Sequence, residues 1–217
     1  MIEGYTVRRI PPKQTHDWLL RKHYAHRIPS IMYSFGLYSE NILAGICCFG
    51  NPANKNLNEI IEGYPAIELQ RLVINDGLSK NSASYFIARS IKGLPSPMVI
   101  VSYSDIGQGH YGYIYQASNW LYMGETVGDT EFEVNGIVLH RKAIFGRLGS
   151  GSKENAIKHG YNPIAVSGKH RYLFLHGNRR EIKEMKGRLT WPTFPYPKGD
   201  NQRYDASYEP PVQMVLV

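Results

Sequence analysis

Apolar residues fall along this chain in short runs that read as strands, separated by windows with helical spacing. Residues 5–10 open as a strand, and two prolines then lead into a helix over 13–24, with proline at its start as helices prefer. Residues 31–38 and 42–49 read as strands joined by the hairpin turn Ser39-Glu40-Asn41. A loop rich in Asn, Gly and Pro covers 51–64, a strand 66–74, a loop 75–80 and a helix 82–92. Further strands are expected at 98–102, 120–125, 136–142 and 171–175, with short helices at 112–119, 152–159 and 179–186. The end, 191–217, is proline-rich and reads as an extended arm. An antiparallel front half followed by helical crossovers predicts an α/β (α+β) fold, with a mixed central sheet and flanking helices. The expected division is a core over 1–145 and a basic C-terminal extension over 146–217 packed on it.

Residues 99–126, VIVSYSDIGQGHYGYIYQASNWLYMGET, carry the densest chemistry. They read as buried strand, polar loop, short helix and strand. Asp105, His110 and Tyr115 fall where the strand ends and the helix begins. Ligands of open α/β sheets bind beyond the carboxyl ends of strands, so a reaction is expected there. A carboxylate at Asp105 can accept a proton or a hydrogen bond from an amine. Its commonplace reading is a turn or helix-cap residue. For Tyr115 the commonplace reading is a core residue with a satisfied hydroxyl.

Charge changes the picture. The net charge is +7, yet residues 139–190 hold twelve Lys or Arg against three acids, so the remainder is slightly acidic. A concentrated basic region is the footprint of a polyanion partner, with nucleic acid the default and double-stranded DNA one such partner. Lys142, Arg147, Lys153, Lys169, Arg171, Arg179 and Arg180 are the candidate phosphate contacts. A solvated surface is the alternative. The opening MIEGYTVRRIPPK has no apolar run, so no export signal is expected, and the longest apolar stretch, 42–49, is too short to cross a bilayer. Cys47 and Cys48 are adjacent, point to opposite faces of a strand and are not expected to pair. A cytoplasmic location follows, with a homodimer as the candidate assembly.

Two resemblances add to this. Ile114-Tyr115-Gln116-Ala117-Ser118-Asn119-Trp120 has the spacing of a motif in the GNAT acyltransferase superfamily. Asn and Trp replace that motif's Gly and Phe, and its Tyr protonates a departing coenzyme A thiolate. The segments HYAHRIP (23–29), ELQRLVI (68–74), SYSD (102–105), GHYGYIYQASNWLYMG (109–124) and KHRYLF (169–174) resemble more closely the Mom family, phage DNA-modification proteins related to GNAT enzymes. That resemblance implies transfer of an acetamido-type group to the exocyclic N6 amine of adenine, which hides phage DNA from restriction.

The implied residues are His23, Tyr24, Asp105 and Tyr115 for catalysis. Arg71, Leu72, Val73, Ser82, Ser84 and Ser90 would bind an acyl-coenzyme A. The usual pyrophosphate signature is replaced here by Asn75-Asp76-Gly77-Leu78-Ser79-Lys80. GNAT ancestry implies an acyl-coenzyme A donor, whereas simple acetyl transfer does not give an acetamido product. A bound iron is also implied by the family, with His23, His26 and Asp105 as candidate ligands; the bland reading of the histidines is as dipole partners at a helix end. Arg71 and Glu68 are three apart on a strand, which weakens an ion-pair reading. The target adenine must leave the stack, and Tyr33, Tyr111, Tyr113 or Trp120 are candidates to stack on it. The alternatives are a GNAT acetyltransferase acting on a small molecule, peptide or RNA, and a non-catalytic DNA-binding protein.

Overall fold

The computed structural model describes residues 4–54, 56, 57, 60–139 and 141–200, without the Lys142 side chain. The last part of the expected arm, 201–217, lies outside the described residues, as does the side chain of Lys142 among the expected phosphate contacts.

Seven strands form one mixed sheet. They are β1 (Tyr5–Arg9), β2 (Tyr33–Ser39), β3 (Ile42–Gly50), β4 (Ala66–Ile74), β5 (Met98–Asp105), β6 (Leu121–Glu125) and β10 (Lys169–His176), in the order β1-β2-β3-β4-β5-β10-β6. Every neighbouring pair is antiparallel except β4 and β5, which run parallel. The crossover between them carries α1 (Ser82–Lys92). α1 buries Phe86, Ile87 and Ile91 on one sheet face with Phe35, Phe49, Ile67 and Ile100. The short helix α2 (Tyr113–Gln116) shares that face. On the other face, α5 (Arg179–Arg188) and Leu57, Ile60 and Ile61 cover Val99, Val101, Leu173 and Leu175.

The expected helix over 13–24 is present as an irregular helical segment over 12–22, a 3-10 turn leading through His16 and Asp17 into a wider π-type turn. A 3-10 turn, Pro12–Thr15, is closed by Thr15 Oγ1 donating to Pro12 O, with Thr15 buried. A π-type turn, Trp18–Lys22, buries Trp18 and Leu19 and ends with His23 N donating to Trp18 O. That wide closure leaves His23 in extended backbone.

The expected boundary at 145 does not divide the molecule, because β10 lies inside the sheet between β5 and β6. The separate unit is an insertion between β6 and β10. It holds β7 (Asp129–Val134), β8 (Ile137–Leu139) and β9 (Asn162–Val166) as a small antiparallel sheet, with α3 (Arg141–Leu148) and α4 (Lys153–Lys158). Its own small core is Phe132, Ile144 and Ala156. Of the strand expected over 136–142, Gly136 lies in a turn, Ile137–Leu139 form a three-residue strand and Arg141 starts a helix.

A cleft where two parallel strands part

The β4–β5 ladder runs from Ala66↔Val99 to Leu69↔Ser102 and stops there. Beyond it, β4 runs on to Ile74 and β5 to Asp105. Against β3, β4 carries a bulge at Gln70, since Cys48 pairs with Arg71 and Phe49 with Leu69. A bulge bends its strand and shifts the alternation of side chains. The two strands thus separate toward their carboxyl ends, and a cleft of about 480 Å³ opens between them. Its walls come from Lys22–Tyr24, the whole second half of β4, the start of α1, residues 103–105, His110 and residues 112–115.

Asp105 and Tyr115 both line this cleft, as do His23, Tyr24 and His110. Tyr115 is 6% exposed, and its ring sits between Trp120 and Tyr172, each 5.0 Å away between centroids. Its hydroxyl lies 2.8 Å from Ser102 Oγ, which also reaches the Leu69 carbonyl at 2.9 Å. Ser102 has one hydroxyl proton and a carbonyl only accepts, so Ser102 donates to Leu69 and Tyr115 donates to Ser102. Burial raises the Tyr115 pKa, so the phenol stays protonated at neutral pH. Upstream, Gly112 takes a left-handed φ of +70°, and a Cβ there would meet the Tyr172 ring at 2.4 Å. Only glycine fits this approach.

Asp105 stands at the end of β5. Its Oδ1 accepts from Gly107 N at 3.0 Å, which caps the single 3-10 turn Ile106–Gln108. Its Oδ2 faces Lys169 Nζ at 3.5 Å, with the aspartate side chain 18% exposed. The cap reading of Asp105 is thus correct for one oxygen, and the other faces the half-exposed Lys169 ammonium. His23 is stacked on Tyr24 at 4.4 Å, and Tyr24 meets His110 edge-on at 6.1 Å. His23 Nδ1 accepts from Ala25 N at 3.0 Å. Burial first, then the nearby Arg71 and further cationic groups, push the His23 pKa down to about 3. His23 is therefore a neutral group that holds its proton on Nε2. Burial also lowers the His110 pKa, against the pull of Asp105, and raises that of Tyr24.

Of the expected cofactor residues, Arg71, Leu72, Val73 and Ser82 line the cleft. Ser84 and Ser90 do not. Ser84 Oγ donates to Asn81 O, and Ser90 is fully buried on the inner face of α1, beside the Cys47 thiol. The start of α1, with Lys80, Ser82 and Ala83, faces the cleft, and Asn81 makes no side-chain cap bond there. A helix start of this kind suits a phosphate. The expected iron ligands do not assemble. His26 is exposed, with Nδ1 2.9 Å from Leu20 O. No group of three His, Cys, Asp or Glu among the described residues is placed to hold a metal.

The expected basic surface is divided. Arg147 and Lys153 are exposed on the insertion, which is rooted at the Asp105 end of the sheet through Thr126 and Lys169. Lys169 pairs with Asp105. Arg179 and Arg180 follow His176, at the opposite end of β10, roughly 25 Å from the cleft mouth by strand rise. Arg171 is stacked on Trp191 at 4.7 Å and meets Tyr103, so it is a packing residue. Trp120, expected among the stacking aromatics, is fully buried and cannot take a base. Residues 191–200 do not extend away. They strap across β6 and α2, with Phe194 N on Tyr122 O, Tyr196 Oη on Trp120 O and Tyr113 Oη on Gly199 O.

Ser102, Ser104 and Gln116 escaped the sequence reading. Gln116 Nε2 lies within 2.9–3.2 Å of Tyr111 O, Tyr172 Oη and Pro197 O, joining the 105–112 loop, β10 and the strap. The alternating serines in an otherwise apolar strand were the available signal.

A parallel-strand cleft holding a buried phenol and a carboxylate beside a helix start defines an α/β transferase-type site. The comparisons narrow this to a family. The Mom protein family's model matches residues 4–198, and the chain belongs to that family. Among curated proteins, the methylcarbamoylase mom of Escherichia phage Mu is 28% identical over 221 residues, covering 91% of this chain and 87% of that protein. Solved structures with a similar arrangement include the ribosomal-protein-S5-alanine acetyltransferase of Vibrio fischeri, at TM-score 0.48 and 9% identity, covering 82% of this chain and 96% of that one. An acetyltransferase of Bacillus subtilis in complex with CoA matches at TM-score 0.45 and 11% identity, over 79% and 97%. No helix among the described residues is long and apolar enough to cross a membrane.

Proposed function

We propose that this protein modifies adenine in DNA at its exocyclic N6 amine, transferring to it a small acyl-type group, other than a simple acetyl, from an activated donor of the acyl-coenzyme A class. The observation that carries the reading is that Asp105 and Tyr115, from different elements, line one cleft in a chain matched to the Mom family over nearly its whole length.

The residues suit a coenzyme A. Lys80, Ser82 and the first turn of α1 would hold its phosphates, and the bulged second half of β4 would flank its thiol arm. When bound, such a donor supplies an activated carbonyl carbon. The chain's own groups do the rest. Tyr115 holds a proton at Oη, against Ser102, at the closed end of the cleft; from there it serves as acid toward a departing thiolate. Asp105 accepts a hydrogen bond from the adenine amine and takes the proton released as the N–C bond forms and the thioester C–S bond breaks. It orients that weak nucleophile, whose lone pair is delocalised into the ring. His23 and Tyr24 form the wall beside Asp105, with His23 neutral. The residues do not fit an iron, and no step is routed through one.

Duplex DNA would lie over the Asp105 end, with Arg147 and Lys153 of the insertion on phosphates, and the target base turned out of its stack. Tyr113, which is 40% exposed and lines the cleft, is the aromatic best placed to meet it. The host cytoplasm is the expected compartment.

Mass spectrometry of nucleosides from plasmid DNA tests this. Cells expressing the chain should yield an adenine adduct, and cells expressing Asp105→Ala or Tyr115→Phe should not. Unmodified adenine from the wild-type strain overturns the reading.

A further inference from the structure

Ser104 occupies a position in the cleft that neither the fold nor the proposed chemistry has used so far. It lies two residues beyond Ser102 on β5, so both side chains share one face of the strand, the face on which Tyr115 sits. The spacing along the strand is roughly 6–7 Å. The ladder to β4 ends at Leu69↔Ser102, so on that side Ser104 meets the gap rather than a neighbouring strand. On its other side it is paired with His170 of β10.

The two serines differ in what they bond. Ser102 is committed to Leu69 and Tyr115. Ser104 is 6% exposed and lines the cleft, yet its Oγ has no hydrogen-bond partner among the described residues. A buried hydroxyl without a partner is unfavourable, and its retention calls for one supplied from outside the chain.

We propose that Ser104 is the acceptor-binding residue of the cleft, with its Oγ taking a hydrogen bond from the exocyclic amine of the purine. This rests on the adenine reading above and goes beyond it by assigning the second N–H of the amine, the first being held by Asp105. The order of residues sets the assignment. Tyr115 and Ser102 mark the end where a leaving group is protonated. Asp105, next after Ser104, marks the end from which the base enters. Ser104 stands between them. A hydroxyl has acceptor lone pairs for an amine N–H and a proton for an adjacent ring nitrogen, which is the pattern that an adenine edge presents.

The test uses the full chain with Ser104→Ala, Ser104→Val and Ser104→Thr. Val and Thr match in volume and differ in the hydroxyl. Removing an unpartnered hydroxyl should leave the melting temperature of the Ala variant unchanged or slightly raised. Coenzyme A binding, measured by calorimetry, should stay within about twofold of wild type. Adenine modification by the Ala and Val variants should fall about tenfold in kcat/KM for DNA, with Thr well above Val. An Ala variant that modifies DNA within about twofold of wild type overturns the proposal while leaving the adenine reading intact. So does an Ala variant whose activity falls only as its melting temperature falls, because that marks a structural role. A wild-type protein that leaves DNA unmodified overturns both.

Discussion

Tyr115 and Asp105 share a cleft but are held in opposite ways. Tyr115 is built into the core, with its ring between Trp120 and Tyr172 and its hydroxyl bonded to Ser102. Asp105 is built from a strand end, with one oxygen on a turn amide and the other on a partly exposed lysine. The first arrangement rests on close packing, which tolerates little change in volume. The second rests on polar contacts that water and salt can replace. Chemistry at the phenol end should therefore be separable from stability only by atom-sized changes, whereas the carboxylate end should respond to charge and ionic strength while the fold stays intact.

The largest effect should come from the phenol. Tyr115→Phe keeps the ring packing and removes the acid, while Ser102 retains its bond to Leu69. Adduct formation should drop by at least about a hundredfold, with a stability change of about 1 kcal/mol. Trp120→Ala, by contrast, empties a fully buried site and should cost about 3–5 kcal/mol, lowering activity and melting temperature together. Equal effects of the two on stability in urea titrations would show that chemistry and packing at the phenol end cannot be separated.

Next comes the carboxylate. Asp105→Asn keeps an acceptor for Gly107 N and removes the charge facing Lys169. Modification should fall about tenfold or more, while stability moves by less than about 1 kcal/mol. A melting temperature lowered as far as by Trp120→Ala would show that Asp105 is a structural cap and nothing more.

Acid should act through His23. Its pKa is lowered from 6.5 to about 3 in the folded protein, so the unfolded chain binds the proton more readily. Stability from this group is therefore intact above about pH 6.5 and declines as pH falls from there toward 3. Urea midpoints measured across that range should fall less steeply in His23→Gln than in the wild type. Identical slopes would place another group in control.

How far these two ends could be read from sequence follows from the same contrast. The Tyr115 end was legible because its parts lie on continuous apolar runs: β4, α1 and β5 appear with nearly their observed limits, and the Ile114–Trp120 spacing marks the helix. The polar periphery was less so. Asp105 was found as a strand-end carboxylate, but its partner Lys169 was assigned to phosphate, because the Lys169↔Asp105 register depends on a strand 64 residues later. The same holds for Arg171, whose place under Trp191 is set by the returning strap. A charge count along the chain cannot tell which end of β10 a residue occupies. It therefore placed Arg179 and Arg180 with Arg147, although the strand separates them. The insertion was missed because its strands are only three to six residues long. Its Asn135-Gly136 turn, with both residues at positive φ, looked like the start of a strand.

The smallest expected effect is the one that separates the two roles Lys169 could have. Its side chain is half exposed, so its pair with Asp105 is screened and should contribute well under 1 kcal/mol to stability. If Lys169 only neutralises Asp105, Lys169→Met should leave DNA affinity and its salt slope unchanged and alter modification alone. If it also meets a phosphate, affinity should fall a few-fold at low salt, and the slope of log affinity against log salt should shrink by about one. Its backbone is tied to Thr126 at the root of the insertion and its ammonium lies 3.5 Å from Asp105, within reach of a phosphate flanking a base held there. We therefore expect the second result. Salt titrations of wild type and Lys169→Met, with Arg179→Met as the control at the far end of β10, decide it. A slope that shrinks for Arg179→Met but not for Lys169→Met would move the DNA to the opposite end of the sheet and break the link between the basic surface and the cleft.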